Sequence, residues 1–237
     1  VRKAPCTFKH KVKGLIRLAL RFGKQTLRNP AQAWRQIRWN LLCPQVKSGW
    51  FRGIMLNVYS HCSIDLRKRG RIVVESGTFS LGAKRNRKSR LETRLMVEDG
   101  AELRVKGQCG IVSGADIQLF AGAKLELGAK CGFNQGLQIV CAERITIGED
   151  VHIGRDVWIR DNNGEHYIIQ PGYTWKAPVV IGARCWIGSN SAIMKGVTIG
   201  EGTVIAANSV VTHSLPAHCL ASGNPAEVIA ENIFWRP

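Results

Sequence analysis

A short polar segment in the second half of the chain, Arg160–Gln170 (RDNNGEHYIIQ), places a histidine among carboxylates and amides. Imidazole changes its charge near neutral pH, so His166, close to Asp161 and Glu165, suits a general base. The competing interpretation is an exposed histidine without a chemical role. Asp161, at the start of the segment, is a candidate substrate contact.

The five other histidines are weaker candidates. His152 lies inside the repeat described below and is interpreted as a coil residue that could neighbour the site. The remaining four lie outside the regular array or in its last coil: His10, His61, His213 and His218. A metal centre needs three or four suitably placed ligands, and the regular coils offer too few, so no metal is expected.

The eight cysteines occur singly, with no CxxC pair, and are interpreted as reduced thiols that pack in the interior. Several occupy positions where the repeat needs a small apolar residue. Trp158 and Trp186 are likewise expected to pack and not to bind substrate.

The polar segment interrupts a periodicity of six residues. Each hexad has one aliphatic residue, commonly followed by glycine, and a small or β-branched residue at its fifth position. The aliphatic positions are Ile147, Ile153 and Ile159, then Ile181, Ile187, Ile193, Ile199, Ile205 and Val211. Each hexad predicts one short strand and a corner, with the aliphatic side chain inward. Three such sides close a triangular coil of three hexads, which would stack Ile181 on Ile199.

The next inward position after Ile159 would be 165, yet the repeat resumes in phase only at Ile181, so a segment has been inserted between these positions. An insertion that preserves the phase must leave and rejoin the solenoid at one corner, which predicts an extruded loop over about 160–178. Such loops commonly carry function on a rigid scaffold. Weaker hexads extend backwards, with a slip of two residues near Ile145, through Leu127, Phe133 and Ile139.

Basic residues concentrate at the N-terminus. Residues 1–64 contain 13 Lys and Arg and no acidic residue, in a chain of net charge +17. The segment His10–Arg28, and a second pattern carrying Trp34, Ile37 and Leu41, predict two amphipathic helices within residues 1–52. These helices could lie on an anionic membrane surface through residues 1–44, hold a polyanionic substrate, or cap the end of the main domain.

No apolar run approaches the length needed to span a bilayer, so neither a spanning helix nor an ordinary signal peptide is expected. We therefore expect a cytoplasmic protein, peripheral at the inner membrane. Two basic clusters, RKRGR from Arg67 and KRNRKSR from Lys84, are interpreted as loops that are solvated or that face phosphates or an acidic glycan. A nucleic-acid partner is not expected, since no recognised module is present.

The segment APVVIGARCWIGSNSAIMKGVTIGEGTVIAANSVVTHSLPAHCLASGNPAEVI, together with the loop before it, resembles the hexapeptide-repeat acyltransferases in their sugar and polysaccharide O-acetyltransferase branch. The resemblance implies an all-β solenoid, a left-handed parallel β-helix over residues 53–225. It also implies that GNPA is the exit from the solenoid and that residues 226–237 form a short capping helix. Homotrimers with a site shared between chains, and acetyl-CoA as co-substrate, are implied in the same way.

The resemblance also implies roles for individual residues. His166 matches the histidine that deprotonates the acceptor hydroxyl, and the backbone amide of Ser189 matches the oxyanion donor. Ala207 and Thr212 match a pantetheine-binding edge. Asn134, in GFNQG, matches an asparagine that contacts the acceptor sugar.

Two departures from the family pattern concern the substrates. A carboxylate that contacts the acceptor in relatives is replaced in the region of Cys141 and Ala142, which argues against a simple galactoside or maltose. Glu227 and Ala230 stand where relatives place a basic residue for the CoA phosphates. The candidates to replace that residue are Lys195, His213 and Arg236.

The sequence thus predicts an acetyl-CoA-dependent O-acetyltransferase that modifies a cell-surface polysaccharide or a lipid-linked sugar unit. Two alternatives remain open at this point. One is an N-acetyltransferase of amino sugars, or a serine acetyltransferase, with the same fold. The other is a noncatalytic β-helical protein that binds a glycan.

Overall fold

The computed structural model describes residues 30–49, 53, 55–86, 88–164 and 166–236. The predicted helix at His10–Arg28 lies outside the described residues. The described chain begins with helix α1 (Pro30–Ile37), which continues into a π-helical turn at Arg38–Leu42. Within the described residues, no helix combines the length and apolarity needed to cross a bilayer.

The strands that follow in the described chain form three sheets. Sheet A contains β1 (Val46–Lys47), β4 (Arg71–Val74), β7 (Glu102–Val105), β10 (Lys124–Leu127), β13 (Arg144–Ile147), β16 (Val179–Ile181) and β19 (Thr198–Ile199). Sheet B contains β2 (Met55–Val58), β5 (Thr78–Ala83), β8 (Cys109–Val112), β11 (Cys131–Phe133), β14 (His152–Ile153), β17 (Trp186–Ile187), β20 (Val204–Ile205), β22 (Leu220–Gly223) and β23 (Ala226–Ala230). Sheet C contains β3 (Cys62–Leu66), β6 (Thr93–Val97), β9 (Asp116–Leu119), β12 (Gln138–Cys141), β15 (Trp158–Arg160), β18 (Ala192–Ile193) and β21 (Val210–Val211).

The chain passes through sheets A, B and C in turn and then returns to A, so it turns at an A–B corner, a B–C corner and a C–A corner. Each strand pairs in parallel with the strand one coil away, except that β22 and β23 are antiparallel. This arrangement confirms the predicted all-β solenoid. Its interior is a single column of buried aliphatic side chains contributed by all three sheets.

The strand register confirms the predicted stacking, because Ile181 pairs with Ile199. Ile187 pairs with Ile205, and Ile193 with Val211. The members of each pair are three hexads apart in the sequence. Ile145 pairs with Val179, which is the distance of one such coil plus the inserted segment.

From Leu103 onward the coils become shorter along the chain, apart from the coil that carries the inserted loop. The separation in sequence between paired residues falls from Leu103 and Leu125, through Leu125 and Ile145, to Ile181 and Ile199 in the last coils. The coil that ends at Ile145 exceeds three hexads by two residues, which explains the slip of two residues there. Residues 53–130, which the sequence shows only as short β-rich runs, form the wider coils of the same solenoid, and sheet A already begins at Val46.

Helix α1 and the turn after it cover the open edge of β2. Asn40 Nδ2 donates to the Leu56 carbonyl at 2.8 Å, and the Leu56 amide donates to Asn40 Oδ1 at 2.8 Å. Gln32 Nε2 donates to the Val58 carbonyl at 2.9 Å. These side chains occupy backbone groups that would otherwise offer an edge for another strand. The capping role is thereby confirmed for the second helix.

The face by which this helix packs differs from the prediction. The buried positions are Ala33, Gln36 and Asn40, whereas Trp34 and Leu41 of the predicted apolar face are exposed. The reason is that the helix meets a strand edge, whose free amides and carbonyls need polar partners. Its apolar residues are consequently turned to solvent.

The capping helix expected at 226–237 is wrong. Ala226–Ala230 form β23, which turns back after Gly223 and pairs antiparallel with β22. Exposure alternates along AEVIA with the period of a strand, and the preceding Gly-Asn-Pro favours a tight reversal. The tail then crosses the outer face of sheet B, where the Trp235 ring lies 5.9 Å from the Trp186 ring.

Candidate active site

The inserted residues form a loop at the C–A corner between β15 and β16. Its two ends are held together, since the Asn163 amide donates to the Trp175 carbonyl at 2.8 Å and the Ala177 amide donates to the Asp161 carbonyl at 2.8 Å. Asn162 and Lys176 form an antiparallel bridge between them. The loop therefore leaves and rejoins the solenoid at one corner, as predicted.

Asp161 anchors this loop to the preceding coil and is fully buried. Its Oδ1 accepts the Ala142 amide at 2.7 Å, and its Oδ2 accepts the amides of Glu143 at 2.8 Å and Arg144 at 2.7 Å. Asn162 Nδ2 donates a further hydrogen bond to Oδ1 at 2.9 Å. The expectation that Asp161 contacts the substrate is wrong, because the carboxylate is inaccessible and its oxygens are already occupied.

His166 is exposed on the loop, and its ring is oriented by the backbone. Nδ1 lies 3.2 Å from the Asn163 carbonyl oxygen, which can only accept, so Nδ1–H is the donor in this contact. In the neutral imidazole this contact selects the tautomer with an unprotonated Nε2. No residue of the described chain hydrogen-bonds to Nε2. This is the form of imidazole that can accept a proton from a substrate.

Tyr173 fixes the backbone of His166. Its hydroxyl donates to the His166 carbonyl at 3.2 Å and accepts from Asn163 Nδ2 at 2.6 Å. Lys195, at the same corner one coil later, places Nζ 5.0 Å from the Tyr173 ring centroid. Sequence reasoning did not assign Tyr173 a role. No signal in the sequence separates Tyr173 from the other aromatic residues of the loop, Tyr167 and Trp175.

Ser189 and Ala207 stack at the B–C corner. A Cβ on Gly154 would lie 2.6 Å from the Ser189 amide nitrogen, and one on Gly188 would lie 2.5 Å from the Ala207 nitrogen. Glycine is needed at both positions because successive corners approach so closely. Within the described chain, neither amide donates a hydrogen bond. Both are therefore available to a ligand.

The expected site residues divide between two corners. His166, Lys195 and Thr212 lie at the C–A corner, and Asn134, Ser189 and Ala207 lie at the B–C corner. One side of sheet C separates these groups, and the six residues from Ser189 to Lys195 extend about 20 Å at about 3.3 Å each. A single chain therefore does not bring the histidine to the Ser189 amide.

Comparison with known proteins identifies the family. The family profile described as Bacterial transferase hexapeptide (six repeats) matches residues 178–213. The chain is also 38% identical over 125 residues to the polysialic acid O-acetyltransferase of Escherichia coli O1:K1 / APEC, covering 51% of this chain and 40% of that protein. Residues 178–213 therefore carry the hexapeptide repeat of this transferase family.

Two further comparisons extend this result. The galactoside O-acetyltransferase of Escherichia coli strain K12 is 36% identical over 112 residues, or 46% of this chain and 55% of that protein. The crystal structure of the polySia specific acetyltransferase NeuO matches with a TM-score of 0.57 at 28% identity, over 76% of this chain and 84% of that chain. The fold is the left-handed β-helix of this family. The chain spans about half the length of the curated relatives it matches.

The departure from the family at the CoA phosphates has a structural counterpart. Glu227 Oε2 lies 3.7 Å from His213 Nε2, so this imidazole already has a carboxylate neighbour. Arg236 lies with Arg184 at the A–B corner, away from Ala207 and Thr212. Of the three proposed replacements, only Lys195 lies at the C–A corner without a carboxylate partner in the described chain.

Most of the described cysteines are buried: Cys109, Cys131, Cys141, Cys185 and Cys219. Burial is the main cause that raises the thiol pKa of Cys131 and of Cys185 to about 11. The thiol pKa of Cys141 is also raised, by burial and then by the charge of Asp161. Trp158 and Trp186 do not pack as expected, since both face outward and are 48% and 46% exposed.

Proposed function

We propose that the protein is an acetyl-CoA-dependent O-acetyltransferase that acetylates a hydroxyl of a cell-surface polysaccharide or of a lipid-linked sugar unit. Its family and the O-acetyltransferase names of its relatives support the reaction class. The observation that carries the proposal is the hydrogen bond between His166 Nδ1 and the Asn163 carbonyl. In the neutral imidazole this contact leaves Nε2 unprotonated on an exposed, anchored loop.

The mechanism follows from this geometry. His166 Nε2 takes the proton of the acceptor hydroxyl while that oxygen bonds to the acetyl carbonyl carbon of the thioester. The Ser189 amide donates to the carbonyl oxygen as its negative charge develops. The carbon–sulfur bond then breaks, and the imidazolium returns the proton to the departing thiolate. Asn134 holds the acceptor, while Ala207, Thr212 and Lys195 hold the acetyl donor.

We propose further that the active site forms between chains of a homotrimer. The C–A corner of one chain supplies His166, and the B–C corner of its neighbour supplies Ser189 and Asn134. The support for this arrangement is that sheet C separates the two groups within a chain. A head-to-tail contact repeated around a threefold axis joins two different surfaces of this kind.

Replacing His166 with alanine tests the base. Thiol release from acetyl-CoA with a glycan acceptor is expected to fall by about 10²–10⁴ in rate. The melting temperature should not change, because the ring is exposed and only the backbone of His166 is held by Tyr173. His61→Asn is a matched control, since His61 is exposed and its φ of +64° suits asparagine. Equal thiol release from wild type and His166→Ala would show that His166 is not the general base.

Mixing two inactive variants tests the shared site. His166→Ala and Asn134→Ala damage opposite corners, so each homotrimer should be weakly active. An equimolar mixture should regain activity at about a quarter of all interfaces, or one of the three in each mixed trimer, if subunits combine at random and one intact corner from each chain suffices. No recovery in trimers that have demonstrably exchanged subunits would place both residues in one chain's site.

We propose that the N-terminal segment also contacts an anionic membrane surface. Trp34, Leu41 and Leu42 are 59%, 44% and 61% exposed, and Arg38 is exposed beside them. An apolar surface with basic residues around it is typical of helices that lie at a lipid interface. The excess of Lys and Arg in residues 1–64 would add attraction to anionic headgroups.

Vesicle sedimentation tests this contact. The wild type is expected to sediment with phosphatidylglycerol vesicles and not with phosphatidylcholine vesicles. Replacing Trp34, Leu41 and Leu42 with serine should weaken partitioning by about tenfold or more, since each loses apolar area to bury. Ile229→Ser is the control, because Ile229 is 61% exposed on β23 at the opposite end of the solenoid. If both variants sediment with the vesicles to the same extent as the wild type does, helix α1 only caps the solenoid and does not contact the membrane.

A further inference from the structure

The outer face of sheet B carries a groove that the mechanism above does not use in full. One part, of about 280 Å³, is lined by Asn134, His152, Trp186 and Arg85. A second part, of about 550 Å³, is lined by Ser80 and Lys130, among others. The two parts share Gly110 in their linings and are therefore adjacent. We call them together the sheet B groove.

The floor of the sheet B groove contains two stacked glycines. Gly110 pairs with Gly132 in adjacent strands, and Gly132 pairs with His152 in the next. A Cβ on Gly110 would meet no atom within 4 Å, and a Cβ on Gly132 would meet only the His152 ring at 3.6 Å. Neither glycine has the positive φ that excludes other residues.

Glycine is therefore not required at these positions by the backbone or by packing within the chain. Inside a strand, glycine destabilises the fold relative to alanine because it loses more conformational freedom on folding. Such glycines commonly mark the close approach of a ligand or of another backbone. The glycines at 110 and 132 therefore leave space in the groove for a ligand or for a second polypeptide chain.

The side of the groove at the B–C corner is basic. Arg85, on the loop between β5 and β6, is exposed and lines the same part as Asn134. Lys88 and Arg90 are exposed on this loop, and Arg155 on the same corner bonds to Gln135. None of these four cations pairs with a carboxylate of the described chain.

Other cations of the solenoid behave differently. Arg69, Arg104 and Arg184, for example, each pair with a carboxylate. On the far side of the groove, Asp150 Oδ1 lies 3.3 Å from His152 Nε2, and Glu149 Oε1 lies 2.8 Å from Lys130 Nζ. The carboxylates along the groove are thus paired locally, whereas the charges around Arg85 are not.

We propose that the sheet B groove binds consecutive units of an acidic glycan, with Arg85 pairing with a carboxylate of that chain. The proposal rests on the proposed function, because Asn134 marks where the acetylated unit lies. Trp186 offers an apolar ring, held by Trp235, against which a sugar can stack. Five strands from β5 to β17 span about 19 Å at the usual strand spacing, which accommodates more than one sugar ring. A planar guanidinium suits bidentate pairing with a carboxylate.

Binding is measured on His166→Ala, so that recognition is separated from transfer. The probes are oligosialic acid and oligogalacturonate, each compared with its carboxyl-reduced form, in a buffer of fixed ionic strength. Arg85→Gln, added to this protein, is expected to weaken binding of the acidic oligosaccharide by about 10- to 100-fold. Arg71→Gln, which removes an exposed arginine of the same coil from sheet A, should leave binding unchanged. The carboxyl-reduced forms should bind about tenfold or more weakly.

Gly110→Val tests the floor of the groove independently of charge. Because a Cβ at Gly110 meets no atom within 4 Å and strands accept β-branched residues, the melting temperature and oligomer mass should be retained while glycan binding is lost. A fall in the oligomer mass would overturn the proposal, since the glycines would then admit a second copy of the chain. The proposal is equally overturned if neither acidic probe binds, if acidic and reduced forms bind alike, or if Arg85→Gln binds as Arg71→Gln does.

Transfer assays on the wild type separate this inference from the proposed function. If acetyl is transferred to neutral glycans and Arg85→Gln has no effect, the O-acetyltransferase function is supported and the binding of an acidic glycan in the sheet B groove is refuted. If an acidic probe binds in a way that depends on Arg85 but no hydroxyl is acetylated, glycan binding is supported and the O-acetyltransferase function is refuted.

Discussion

Replacing Asp161 with asparagine is the sharpest test of how the catalytic loop is held. Asparagine keeps the shape of the side chain but changes one acceptor oxygen into an NH₂ group. In either orientation of the new side chain, its NH₂ group faces at least one of the backbone N–H groups of Ala142, Glu143 and Arg144, where an acceptor is needed. The better orientation points the side-chain carbonyl oxygen at the N–H groups of Glu143 and Arg144. In that orientation the hydrogen bonds from Ala142 N and from Asn162 Nδ2 are lost.

The magnitude follows from these contacts. Two hydrogen bonds to a charged, buried acceptor at about 1.5–3 kcal/mol each give a loss of about 3–6 kcal/mol in the free energy of unfolding. Urea unfolding at pH 7 and at one fixed protein concentration measures this loss as a lower transition midpoint with an unchanged m value. Asp156→Asn is the control, because Asp156 is exposed and its φ of +55° is one that asparagine accepts.

The control should change stability by no more than about 0.5 kcal/mol. A loss below about 1 kcal/mol for Asp161→Asn, with a raised KM for the acceptor, would refute the anchoring role. It would restore Asp161 as a substrate contact, which the sequence had suggested.

Three other contacts give further predictions. Tyr173→Phe keeps the ring but removes the hydroxyl that holds the His166 carbonyl, so kcat should fall about 2- to 13-fold with little change in the acetyl-CoA KM in steady-state assays. Asn40→Ala leaves the amide and carbonyl of Leu56 without partners at the capped edge, and differential scanning calorimetry should show a loss of about 2–3 kcal/mol. Alkylation with iodoacetamide at pH 8, read by peptide mass spectrometry, should spare Cys131 in the folded protein, because a pKa of about 11 leaves about 0.1% thiolate. An unchanged kcat for Tyr173→Phe would contradict the role of the Tyr173 hydroxyl, and unchanged stability for Asn40→Ala would contradict the capping of the Leu56 backbone. Rapid alkylation of Cys131 would contradict its burial.

The repeat itself could be predicted from sequence because one inward aliphatic residue at a fixed spacing is enough to define each side of the coil. Ile181 lies on Ile199 as the spacing requires, and the length of the inserted loop follows from the phase alone. The exposed position of His166 also agrees with its polar surroundings. Each of these features is local, or is periodic over a few residues.

The remaining features depend on partners that are distant in sequence. A carboxylate in a polar loop resembles a ligand-binding group, and nothing in the residues around Asp161 shows that three amides of the previous coil converge on it. Asn40 likewise meets a strand 16 residues later, so its burial is set by that strand edge and not by helical periodicity. At the C-terminus, the five residues of AEVIA are too few to separate a period of 2 from one of 3.6.

The change in coil length between Leu103 and Ile199 has a consequence for how the chain folds. Solenoids with identical repeats can pair each turn with the wrong neighbour, since every turn offers the same edge. Here the last coils are shorter than those before them, so pairing out of register across this change would place an inward side chain such as Phe133 in a shorter coil. The difference in coil length therefore disfavours out-of-register pairing in this part of the solenoid, and with it domain-swapped or fibrous assemblies.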